Sequence, residues 1–67
     1  GQGSTAKEAI LQALELEPKN PKYLDLLIET AIICGDKTLA VEGYNSLRLV
    51  NAENQKLEDF KDRIGKI

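Results

Sequence analysis

An all-α fold of antiparallel helical hairpins is what this sequence predicts, and three observations predict it. Apolar residues recur at three-four spacing along four stretches, the signature of amphipathic helices. Each stretch is bounded by residues that start or stop helices. The third observation is that the chain repeats itself at a step of 34 residues: Ala6 returns as Ala40, Ile10 as Tyr44, Ala13 as Leu47, Leu16 as Val50, Pro18 as Ala52 and Asn20 as Asn54. A fixed step of that length marks a solenoid of helical hairpins, in which each unit covers its neighbour's apolar face.

Helix one is predicted to start at Thr5, where Thr5-x-x-Glu8 has the form of a capping box. Ala6, Ile10, Leu11, Ala13 and Leu14 make its inward stripe, and Pro18 ends it by pushing the preceding residue out of the α region. Helix two opens at Asn20-Pro21, with Asn as N-cap and Pro preset at the first helical position, and closes at Gly35. Its inner stripe is Leu24, Leu27, Ile28 and Ala31. Asp36 caps helix three, which carries Ala40, Val41, Tyr44, Leu47 and Val50 and ends at Asn51, a second choice after glycine for a left-handed position. Helix four follows Asn54 with Leu57, Phe60, Ile64 and Ile67 on one face. No strand is read anywhere. Gly1 to Ser4 reads as a linker or an expression scar, so the chain divides into a lead of residues 1–5 and a helical domain over residues 6–67.

Composition then excludes whole classes of function. A 67-residue chain with 42% hydrophobic and 30% charged residues reads as one small globular domain. It has no histidine, and its one cysteine, Cys34, reads as a buried small hydrophobe without a base to activate it. No disulfide, metal ligation or cofactor is expected, and no enzymatic activity, because neither a Cys/His spacing nor a glycine-rich phosphate loop is present. Net charge is −2, with lysines scattered among carboxylates, so nucleic acid is not an expected partner. The longest apolar run, Ala31 to Cys34, is too short for membrane insertion. An unpaired cysteine fits a reducing compartment such as the cytoplasm.

The stretch Pro21 to Asn54 resembles one tetratricopeptide repeat. Leu24, Leu27 and Ala31 stand where that family has its large apolar series in the first helix, Gly35-Asp36 matches its inter-helix turn, and Ala40, Tyr44 and Leu47 match the series of the second helix. Residues Ala6 to Asn20 are similar to the second helix of a preceding repeat, and Gln55 to Ile67 to a following helix in the place of a terminal cap. The sequence departs from the pattern at Ile28, where the family has a small residue, at Leu47, where it has alanine, and at Ala52, where it has the turn proline. The chain then amounts to about one and a half repeats, which implies either a piece of a longer array or a domain completed by association.

What the resemblance implies is a protein-interaction module that holds a peptide or helical segment in a groove lined by first helices. The matching positions are Lys22, Asp25, Leu26, Glu29, Ile32 and Ile33. Asp25 and Glu29 are acidic where a known subset of the family clamps a C-terminal carboxylate, so a chaperone-tail ligand is not expected and an apolar or basic segment is. From the residues themselves, Leu26 and Ile33 lie seven apart on a side of helix two that the inner stripe does not use, with Tyr23 beside it. Four readings of this strip stay open. Phe60 of helix four joins it in binding a partner, Phe60 and Ile64 cover it, helices of a longer array cover it, or it pairs with its own copy as a homodimerisation surface.

Overall fold

The computed structural model describes residues 2–67 and contains four helices: α1 (Gln2–Leu16), α2 (Pro21–Cys34), α3 (Lys37–Val50) and α4 (Leu57–Ile64). Among the described residues there is no strand. The local signals at the centre of the chain act as their chemistry dictates. Asn20 Oδ1 accepts from the Lys22 amide at 2.9 Å, and Asp36 Oδ1 accepts from the Leu39 amide at 3.1 Å, so α2 and α3 each begin on a side-chain cap. Gly35 takes the left-handed conformation at φ 72°. Its amide donates to the Ile32 carbonyl at 3.1 Å and the Asp36 amide to the Ala31 carbonyl at 2.8 Å, the paired bonds of a Schellman stop.

The 34-residue step seen in the side chains is also written in the backbone. At the end of α1 the Glu17 amide donates to Ala13 and the Asn20 amide to Glu17; at the end of α3 the Asn51 amide donates to Leu47 and the Asn54 amide to Asn51. The side-chain bond from Asn20 to the Lys22 amide recurs as Asn54 Oδ1 accepting from the Lys56 amide at 2.8 Å. Each member of the second set lies 34 positions after its counterpart. The first part of the α1–α2 turn thus recurs in the α3–α4 turn; the two diverge after Asn20 and Asn54, where α2 starts at once and α4 starts only at Leu57.

One core joins the helices. Leu24, Ile28 and Ala31 of α2, Ala40 and Leu47 of α3, and Leu57, Phe60 and Ile64 of α4 form its buried cluster, with Leu14 of α1 packed at its edge. The inner stripe read for α2 is the buried one. Helix α2 touches the other three, and α3 also touches α4. Ile28 needs a small residue opposite it, and Gly43 provides one: a Cβ built there would lie 3.0 Å from Ile28 Cγ1 and 3.4 Å from Leu27 Cδ2. A large residue on α2 set against a glycine on α3 is how the two helices approach closely.

Several expectations need correction. Helix α1 begins at Gln2, so Thr5 lies inside it, and residues 2–5 are continuous with the helix; Gly1 lies outside the described residues. Nucleation is the costly step of helix formation, and each residue added to an existing helix gains a backbone bond without that cost. Ala6 and Leu11 are largely exposed, because α2 alone covers α1. Cys34 is exposed at the end of α2 rather than buried. Asn51 stops α3 at φ −145°, not in the left-handed region, since its amide can reach the Leu47 carbonyl at 2.7 Å without a reversal of φ. Ile67 lies beyond α4, which ends at Ile64. Among the described residues no helix is long and apolar enough to cross a membrane.

Candidate interaction surface

The outward face of α2 is set by its inward one. Leu24, Leu27, Ile28 and Ala31 turn one side of the helix into the core, and a 3.6-residue period then puts Lys22, Leu26, Glu29 and Ile33 on another. Leu26 is 48% exposed and Ile33 78% exposed. Lys22, Asp25, Leu26 and Glu29 share a hollow of about 250 Å³, and the fifth residue lining it is Lys56, which precedes α4. Of the positions read from sequence, four therefore gather at one place, and Ile33 extends the strip towards the C-terminal end of the helix.

Two of the seven fall elsewhere. Ile32 is partly buried and packs against the core. Phe60 is 1% exposed, among the largest fully buried side chains, so it belongs to the core and supplies no surface contact. Periodicity identified its helix face correctly but not which neighbour that face meets. Neither Phe60 nor Ile64 closes over Leu26 and Ile33; both sit with Leu24, Ile28 and Ala31 on the other side of α2.

Lys56 changes the electrostatics of the hollow. Its ammonium donates to Asp25 Oδ2 at 2.9 Å. That hydrogen bond, then the charge of Asp25, and more weakly the charges of Glu29 and Asp59 hold the Lys56 pKa above its ordinary 10.5, against a small opposing effect of desolvation. The other carboxylate oxygen, Asp25 Oδ1, is buried and accepts no hydrogen bond. Asp25 is thus already neutralised from within the chain, and Glu29 is the acid left for a ligand. No sequence signal pointed to Lys56, because the contact spans 31 positions and depends on where α4 is packed.

A second hollow, of about 230 Å³, lies where Leu11, Leu14 and Pro18 face Leu39 and Gly43. Among the described residues no group of three or more Cys, Asp or Glu side chains is placed to hold a metal ion. No family model, curated protein or solved structure matches this chain.

Proposed function

We propose that the chain is a tetratricopeptide-like protein-interaction module, which binds a peptide or helical segment of another protein along the outward face of α2. The observation that carries the reading is the exposed pair Leu26 and Ile33, on a helix whose opposite side is fully committed to the core. An apolar strip beside charged groups is the form in which an amphipathic helix is usually received. The turn that recurs at a step of 34 residues supports the repeat-type scaffold. Because Lys56 occupies Asp25, selection for a basic flank rests on Glu29. No catalytic role is assigned.

A displayed library of amphipathic peptides, panned on the folded chain, tests this. Selected binders should lose at least about tenfold in affinity against Leu26→Asp and against Ile33→Asp, hot-spot positions if the strip is the interface. Both variants should keep the far-UV circular dichroism of the parent, since neither side chain is in the core. Binders indifferent to both substitutions would sink the reading. A homodimer on the same face would show as a mass that rises with concentration in light scattering and falls back in Leu26→Asp.

A further inference from the structure

We propose that Lys56 is a displaceable internal ligand of the α2 hollow, and that the group suited to displace it is the guanidinium of an arginine in the bound segment. This rests on the α2 face being a binding surface, and it supplies the polar anchor that accompanies the apolar strip. The hollow holds two carboxylates, Asp25 and Glu29, one helical turn apart, beside Leu26 and Lys22. The cation seated among them comes from 31 positions away, where Lys56 Nζ donates to Asp25 Oδ2 at 2.9 Å. A basic side chain in this seat is therefore something the molecule already displays.

The seat is loosely held. Lys56 precedes α4, makes no side-chain cap bond to it, and has a side chain 58% exposed. Its ammonium makes one hydrogen bond among the described residues, helped by the charge of Asp25 and more weakly by those of Glu29 and Asp59. An ion pair so exposed contributes little to stability, so it opens without disturbing the core beneath. The fit is also incomplete. Lys56 engages one oxygen of Asp25, while Oδ1 is buried and accepts no hydrogen bond. Glu29 makes no ion pair among the described residues.

A guanidinium answers both deficits. Its planar fork presents two parallel N–H donors that match the two oxygens of one carboxylate, whereas an ammonium acts as a point charge. The terminal torsion of an aspartate is soft, so Asp25 can turn both oxygens to the fork once Lys56 withdraws. The hydrocarbon stem of the arginine then lies against Leu26, and its remaining donors face Glu29. A lysine in the same place would only copy Lys56 and gain nothing by the exchange. With Lys56 seated, Asp25 and Glu29 are matched by two ammonium groups, Lys22 and Lys56, and an approaching cation meets no excess of acid. Lys56 thus makes the hollow selective: it yields to the fork and refuses the point charge.

The probe is N-acetylarginine amide, with N-acetyllysine amide as the control of equal charge. Titrated into the ¹³C,¹⁵N-labelled chain at fixed ionic strength, the arginine compound should move the carboxylate carbons of Asp25 and Glu29. The side-chain resonances of Lys56 should follow the same curve as it is released, a reading that needs no variant. Lys56→Gln, at an exposed position, should bind the arginine compound about threefold more tightly, the scale set by an exposed pair. Asp25→Asn in that background should abolish the gain. Each of these results would overturn the proposal: no shift at Asp25, Lys56 unmoved while Asp25 saturates, equal affinity of parent and Lys56→Gln, or no preference for arginine over lysine. Neither compound has an apolar face, so these outcomes leave the Leu26–Ile33 strip to be judged by Leu26→Asp and the amphipathic binders.

Discussion

Gly43 is the residue on which the α2–α3 contact turns. Alanine there would gain about 1 kcal/mol of helix propensity. Its Cβ would however lie 3.0 Å from Ile28 Cγ1, and Ile28 is fully buried with nowhere to retreat. Overpacking of a filled core costs about 1–3 kcal/mol, so Gly43→Ala should lower the urea midpoint despite the better propensity. Ile28→Ala, which removes Cγ1, should make the Gly43→Ala loss smaller in that background, giving a double-mutant coupling of about 0.5 kcal/mol or more. The Lys56–Asp25 pair behaves differently, being largely at the surface. Lys56 has its pKa raised in the folded chain, so the pair's contribution is full below about pH 10.5 and falls as pH rises through the higher folded value. Lys56→Gln should lower stability at neutral pH by the same small amount by which it removes that alkaline decline, so that the two curves converge above the folded value. A variant that still declined alkaline in the same way would separate the decline from this pair.

At the scale of the element, the Gly35–Asp36 junction decides whether α2 and α3 form a hairpin. A Cβ at Gly35 would meet nothing within 4 Å, so the cost of Gly35→Ala is backbone strain alone. A left-handed alanine costs about 1–2 kcal/mol, and asparagine, which tolerates that region, should cost less. Thermal melts of the two variants should therefore rank Gly35→Ala below Gly35→Asn; equal melts would mean that the strain is relieved by a shift of the turn. The bounds of α2 and α3 were legible because their signals are local: a capping side chain, a preset proline, a glycine at positive φ. The start of α1 was not, since a capping motif competes with simple continuation of the helix and sequence does not weigh the two. The exposed strip of α2 was legible from its period, whereas the removal of Phe60 into the core and the arrival of Lys56 beside Asp25 were not. Both depend on where α4 packs, and nothing within α4 records that.

For the whole molecule, the governing fact is its shape, 31 × 29 × 15 Å, a slab too thin to hide any helix completely. Leu16, Ile33 and Leu49 are exposed for this reason, and the buried cluster is small and continuous. A core of this size supplies roughly 3–5 kcal/mol, and loss of a buried phenylalanine side chain costs about the same. Phe60→Ala should accordingly leave the chain largely unfolded by circular dichroism at 25 °C. Leu49→Ala, at a position 85% exposed, should change stability by less than about 0.5 kcal/mol. A cooperatively folded Phe60→Ala variant would show that the other helices hold together without α4.

Helix α4 has eight residues and begins at Leu57, its N-cap Lys56 making no side-chain cap bond, yet it carries Leu57, Phe60 and Ile64 into the core. So short a helix has almost no stability of its own in water. Its detachment is therefore the smallest excursion that uncovers the centre of the molecule, and it sets the clock for everything beneath it. Amide hydrogens of α2, buried deepest, should exchange with solvent at a rate limited by the lifting of α4, so that the least autonomous segment keeps time for the most protected one.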